Sequence, residues 1–157
     1  MRWRARVSAI TFWPVSRMPE QVCTIGYSGR RIDDFLRVLK KARVQVVVDV
    51  RALPLSRRKG FSKTALRVAL EAAGIEYRHV RAAGNPYRAE KDNVERCLTL
   101  YAGHLDRTPG ALNEVAELVT SKRCALLCFE TEACECHRSV IAERLRRTHP
   151  QLTVTNL

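Results

Sequence analysis

An α/β sandwich, built on one mostly parallel sheet with helices on its faces, is the architecture that this chain predicts. Two patterns predict it. From residue 21 onward, apolar runs of strand length alternate with segments whose apolar residues recur at helical spacing. Two of the runs, VQVVVDV at 44–50 and CALLCF at 124–129, are apolar almost throughout, as strands covered on both faces are. The length of 157 residues suits one domain with a real core and is too short for two ordinary ones.

The first strand is QVCTIG, which ends in the loop Gly26-Tyr27-Ser28-Gly29-Arg30. Ile32, Phe35, Leu36 and Leu39 follow at i, i+3, i+4 and i+7, with Asp33 and Asp34 suited to the positive end of the helix dipole. After the second strand, RALPLSRRKGF leads to Ser62 as N-cap of a helix with Leu66, Ala69, Leu70 and Ala73 on its inner face, stopped by Gly74. IEYRHV is the third strand, followed by a loop around Gly84-Asn85-Pro86. Val94, Cys97, Leu98, Tyr101 and Leu105 mark a third helix. Thr108-Pro109 reads as N-cap and first-turn proline of a fourth, through Leu112, Val115, Ala116 and Val119. CALLCF is the fourth strand; after ETEACE a helix is expected from about Cys136 through Ile141 and Leu145, and LTVTN is the last strand. Ahead of this domain, at 20–157, residues 1–19 are a basic extension with both tryptophans and no period, expected to be disordered.

Composition sets the bounds. With 46% hydrophobic and 28% charged residues the chain is of globular make-up, and no apolar run approaches the roughly 18 residues of a membrane span. No membrane partner is expected. The net charge is +12, from 28 basic residues (22 of them Arg) against 16 acidic. Arg2, Arg4, Arg6 and Arg17 account for four of those charges, which leaves +8 on the domain. An arginine surplus favours a phosphate-bearing or polyanionic partner, because the guanidinium fork matches phosphate geometry; a solvated basic surface is the plainer account. Six cysteines raise the question of redox compartment. The chain's start has no apolar stretch followed by a small-residue cleavage site, so a cytoplasmic location without a disulfide framework is expected. Cys23 and Cys124 lie within strand runs and read as small core hydrophobes.

Ligands of open α/β sheets bind beyond the carboxyl ends of the strands, and the unusual residues of this chain collect there. Tyr27 and Ser28 follow the first strand; Asp49, Arg51, Ser56 and Arg57 follow the second. Asn85 follows the third, and Glu130, Cys136, His137 and Arg138 follow the fourth. Four loops are expected to converge on one edge.

These segments also carry a resemblance. TIGYSGR, VVVDVRALPLSRRKGF, GIEYRHV and LLCFETEACECHRSVIAERL, in this order, resemble the domain-of-unknown-function family DUF488. Its marks are G-[YH]-S, D-V-R-x-x-P-x-S-R, and C-x-E followed by C-H-R at the start of the last helix. The resemblance runs from about Cys23 to Leu145. It implies a Rossmann-like layered sandwich with a pocket lined by these motifs, and it supplies no reaction. Where the family has Leu ahead of the loop glycine, this chain has Ala83 before Gly84, a smaller apolar anchor.

The residue types suggest roles. Glu130, directly after a buried strand, is placed for a raised carboxyl pKa and acid–base work; pairing with Arg138 or Arg51 to tie loops together is the bland alternative. A helix starting near Cys136 presents free N–H groups and a positive dipole end, an anion site that Arg138 strengthens. In that position Cys136 has a lowered thiol pKa and is a candidate nucleophile, with His137 beside it. Cys128, Cys134, Cys136 and His137 are all legitimate zinc ligands, but the C-x-C-H spacing lacks the C-x-x-C turn of a zinc knuckle, so no metal site is expected. A C-x5-R phosphatase loop is absent, since Cys134 stands where the Arg belongs. Between residues 50 and 70 there are six basic residues and no acid, so Arg51, Ser56 and Arg57 suit phosphate contacts, with Asp49 holding Arg51 or orienting a substrate hydroxyl. Tyr27 offers a face for a base to stack on, and Ser28 and Asn85 complete the polar lining; Ser28 has no Ser-His-Asp context. His79 and His104 read as structural.

The leading expectation is an enzyme acting on a phosphate-bearing nucleotide or nucleic acid, by hydrolysis or transfer, an N-glycosidic bond fitting this set best. Glu130, Asp49 and Cys136 are its catalytic candidates and no cofactor is expected. A non-catalytic basic module that binds nucleic acid is the alternative, and a cysteine-based metal or redox site the third.

Overall fold

The computed structural model describes residues 21–90 and 92–157; the basic extension at 1–19 lies outside the described residues. Among the described residues five strands, β1 (Gln21–Gly26), β2 (Val46–Asp49), β3 (Glu76–His79), β4 (Cys124–Cys128) and β5 (Thr153–Asn156), alternate with five α-helices. The helices are α1 (Ile32–Lys41), α2 (Lys63–Ala72), α3 (Val94–Asp106), α4 (Pro109–Ser121) and α5 (Arg138–Thr148). The strands form one sheet in the order β3-β2-β4-β1-β5, and every pairing is parallel. This is the predicted α/β layered sandwich.

The continuous apolar strands are explained by the two layers. Cys23, Ile25, Val47, Ala125 and Leu127 pack with Phe35 and Leu39 of α1 and Leu66 and Leu70 of α2 on one face. Val22, Val46, Val48, Cys124 and Leu126 pack with Tyr101, Leu105, Val115, Ile141 and Leu145 of α3, α4 and α5 on the other. Successive strand residues point to opposite faces, so a strand covered on both sides must be apolar at both parities. Burial raises the thiol pKa of Cys23 and lifts that of Cys124 to about 12, so both are protonated members of the core.

The connections place the site. β2 leads into α2 on the first face, while its neighbour β4 leads into α5 on the second. Chain leaving adjacent strands in opposite directions opens a crevice beyond their carboxyl ends, here between β2 and β4.

Three details differ from the sequence expectation. α5 begins at Arg138, two residues later than expected, because a single 3-10 turn at Ala133–Glu135 precedes it and Cys136 is extended (φ −130°, ψ 147°). Thr108 does cap the Pro109 helix by position, but its hydroxyl donates to the His104 carbonyl at the end of α3 and not to α4. Ser62 likewise precedes α2 without a side-chain capping bond. Among the described residues no helix is long and apolar enough to cross a membrane.

Candidate functional site

A cleft of about 580 Å³ opens at the β2–β4 crevice. Its floor is the carboxyl ends of these strands, and its walls are the 51–58 loop, the Asn85 loop, the start of α3 and the 128–137 segment. Of the eleven residues expected at the site, eight line it: Tyr27, Arg51, Ser56, Arg57, Asn85, Glu130, Cys136 and His137. The four loops do converge. Two glycines let them come close: a Cβ on Gly26 would lie 1.9 Å from the Glu130 carbonyl oxygen, and one on Gly84 would lie 2.3 Å from Cα of Ala52.

Asp49, Ser28 and Arg138 are not among the lining residues. Asp49 is fully buried and spent on its neighbours. One carboxylate oxygen accepts from Nε of Arg51 (2.8 Å) and from its backbone N–H (3.1 Å); the other accepts from Nη2 of Arg51 and from the Tyr77 hydroxyl, both at 2.6 Å. This geometry makes Asp49 a positioning residue for Arg51. Burial and then the Asp49 hydrogen bond push the Tyr77 hydroxyl pKa upward, so that it stays a donor. Ser28 closes the loop by its backbone, its N–H donating to the Phe129 carbonyl at 2.9 Å. Arg138 is fully buried behind the cleft wall, where Nη2 donates to the Glu130 backbone carbonyl and Nε to Cys136 Sγ at 3.3 Å. The loop-tying contact therefore exists, but through the Glu130 backbone and not its carboxylate.

Arg51 itself is held on three sides. Besides Asp49, its Nη1 donates to the Phe61 carbonyl (2.8 Å) and to the Tyr27 hydroxyl (3.3 Å), and His79 Nε2 donates to its backbone carbonyl (2.9 Å). Although burial disfavours its charge, the Asp49 bonds outweigh that and raise its pKa. Tyr27 is not an open stacking platform, because Phe61 already stacks on it at 4.5 Å and Phe129 meets it edge-on at 5.3 Å. The exposed aromatic at the cleft is Phe129, which the residue pattern reads as the end of a core strand. Arg57, Arg58 and Arg88 are exposed around the mouth. Asn85 is buried, its amide donating to Cys97 Sγ at 3.2 Å and its oxygen accepting from the Tyr87 N–H at 2.8 Å.

The innermost corner holds Cys128, Cys136 and His137, all buried. His137 Nε2 lies 2.8 Å from the Val50 carbonyl, which can only accept, so this nitrogen carries the proton. Its Nδ1 then faces Cys136 Sγ at 3.5 Å and Cys128 Sγ at 3.9 Å. A hydrogen bond from Cys128 lowers the Cys136 thiol pKa against the cost of burial, helped by His137 and the Arg138 charge. The same hydrogen bond, then burial, raises Cys128. Burial opposes a charged His137, but the bond to Cys136 and the Val50 carbonyl raise its pKa. Glu130 stands beside this corner with one carboxylate oxygen, Oε2, buried and without a hydrogen-bond partner. Cys134 is exposed and stands apart from the corner, so of the four possible zinc ligands the structure gathers three.

Cys128 has a signal in the sequence. β4 alternates, and residues 124 and 126 face the α3–α5 layer; residue 128 has the same parity and lies under the start of α5.

The model of the family described as Domain of unknown function DUF488 matches residues 31–145. The chain belongs to that family. The DUF488 span includes the Asp49–Arg51 pair and the whole 128–138 segment, while Gly26-Tyr27-Ser28 lies just ahead of it. No curated protein and no solved structure matches the chain.

Proposed function

We propose that this DUF488 cleft is the active site of an enzyme acting on a phosphate-bearing nucleotide or nucleic acid, by hydrolysis or transfer. The observation that carries the reading is one cleft lined both by the exposed side chains of Arg57, Arg58 and Arg88 and by Glu130. Guanidinium groups grip phosphate in a bidentate manner, and a carboxylate in the same cleft can act on a bond away from it. Phe129 offers the exposed edge for a base.

The reaction that suits this arrangement is attack at an N-glycosidic carbon. Glu130 takes a proton from the attacking water or acceptor hydroxyl as the new C–O bond forms. The base leaves with the electrons of the C–N bond and receives that proton. Developing positive charge on the sugar is stabilised by the carboxylate before the proton arrives. Arg51, fixed by Asp49, keeps a permanent positive charge in the cleft wall.

The second reading, a docking module for nucleic acid, is favoured by the +12 charge alone. A salt-resolved titration against mononucleotides, single-stranded and duplex DNA, and RNA separates the two. The enzyme reading expects saturable binding of one mononucleotide class, weakened about 10-fold by Arg57→Ala. It also expects Glu130→Gln to abolish turnover while affinity changes less than about 3-fold. Binding to polymers only, fading steeply with salt and indifferent to Glu130→Gln, would establish the module instead.

A further inference from the structure

We propose that Cys128, Cys136 and His137 form a three-ligand site for a soft divalent cation, zinc above all, with the fourth coordination position open to the cleft. The three donor atoms, two Sγ and Nδ1, all lie within 4.8 Å of one another. Tetrahedral zinc sits about 2.3 Å from sulfur and about 2.0–2.1 Å from imidazole nitrogen, which sets S-to-N edges of roughly 3.6 Å. The two S-to-N edges here are 3.5 and 3.9 Å, close to what such an ion requires, and the two sulfurs lie within 4.8 Å of each other.

The surroundings suit the same ion. A histidine ligand characteristically donates its second ring N–H to a carbonyl or carboxylate, and His137 Nε2 does so to Val50 at 2.8 Å. That bond fixes the tautomer whose free Nδ1 lone pair points at the two sulfurs. Arg138 Nε at 3.3 Å from Cys136 Sγ supplies the N–H···S bond that damps the charge of a thiolate ligand. Two thiolates balance the charge of a divalent ion in this buried corner, and sulfur donors discriminate against magnesium and calcium. Cys134 is exposed and takes no part. Three protein ligands beside an open cleft make a catalytic type of site and not a closed structural one.

The open position gives Glu130 its partner, and this last step rests on the reading of the cleft as an active site. Glu130 follows Cys128 by two residues, with its Oε2 buried and unpartnered. An ion there would supply a water of lowered pKa. The Glu130 carboxylate would take the water's proton, the oxygen would form the new C–O bond as the C–N bond breaks with its electrons on the leaving base, and Glu130 would return the proton to that base. Cys136 then serves as a ligand and is not a free nucleophile.

The test is a cobalt(II) titration of the untagged full chain, stripped beforehand with a chelator. The expected result is one ion per chain, with thiolate-to-cobalt charge transfer, intense tetrahedral visible bands, and stoichiometric displacement by zinc. Cys136→Ser and Cys128→Ser are expected to lose charge-transfer intensity, and Cys134→Ser to leave the spectrum unchanged. A wild-type protein without these bands overturns the site whatever the variants do, so a variant that fails to fold does not rescue it. Equal loss in Cys134→Ser overturns it as well. The bands are read without substrate: cobalt binding with no phosphate ligand bound sinks the proposed function and leaves the metal site standing, and the converse result does the opposite.

Discussion

At the scale of single residues, the most consequential contact is the buried pair of Asp49 and Arg51. The carboxylate is met by four donors, three from Arg51 and one from Tyr77, and so is its guanidinium's counter-charge and its splint. Removing one member of a buried pair leaves the other charge without compensation, which costs about 3–5 kcal/mol. Deleting a hydroxyl that donates to a charged acceptor costs about 1.5–3 kcal/mol. Asp49→Asn is therefore expected to lower the stability measured by urea unfolding by more than Tyr77→Phe does. Equal losses would mean that the carboxylate charge is not what holds Arg51. The types of residue at this site were legible from the sequence, because D-V-R at a strand end has few uses. Which of the cleft's arginines is exposed was not: Arg51 and Arg57 lie in one basic loop and both line the cleft, and only the three-dimensional position of Asp49, Phe61 and Tyr27 buries the first and leaves the second exposed.

At the scale of elements, the central strands were readable because burial on both faces leaves a continuous apolar run, and the helices because their inner faces repeat at 3.6 residues. The start of α5 was not readable. The extended Cys136 and the 3-10 turn before it depend on Arg138 folding back under the Glu130 carbonyl, a contact between backbone and side chain that no residue pattern encodes. The same carbonyl makes Gly26 an element-level constraint. β1 and β4 are paired as far as Gly26 and Cys128, and beyond that point the chain of β4 crosses over the glycine. An added Cβ would meet backbone at 1.9 Å, so the 130 segment must shift and Arg138 must lose its acceptor. Gly26→Ala is expected to cost at least about 1–3 kcal/mol, the range for overpacking, and to weaken ligand binding in the cleft. Gly29→Ala is the control: it has φ +75° but open space around it, so about 1 kcal/mol of backbone strain with an undisturbed cleft is expected. Thermal melts together with the nucleotide titration read both quantities, and a Gly26→Ala protein with wild-type binding would show that the 130 segment is not held by this contact.

At the scale of the whole molecule, two ion pairs join elements that are far apart in the chain and share a sensitivity to acid. Glu76 on the edge strand β3 meets Lys122 at the end of α4 at 2.6 Å, and Asp106 at the end of α3 takes Nε and Nη2 of Arg144 on α5, both at 2.9 Å. The Lys122 hydrogen bond lowers the Glu76 pKa and the Arg144 hydrogen bond lowers that of Asp106. A carboxyl whose folded pKa lies below its unfolded value binds fewer protons folded than unfolded. Its contribution to stability is complete above the unfolded value, about 4, and disappears as pH falls through the folded one. Both pairs are exposed, so each effect is small and screened by salt. Protonation of the other acids raises a net charge that is already +12, which adds self-repulsion over the same range. The double variant Glu76→Gln/Asp106→Asn is expected to melt below the wild type at neutral pH in low salt. The gap should close as pH falls below about 4, and it should narrow at any pH when salt is raised. A gap that stays constant from neutral pH to strong acid would mean that the substitutions act through packing and not through charge, and that these two bridges do not set the acid limb of the fold's stability.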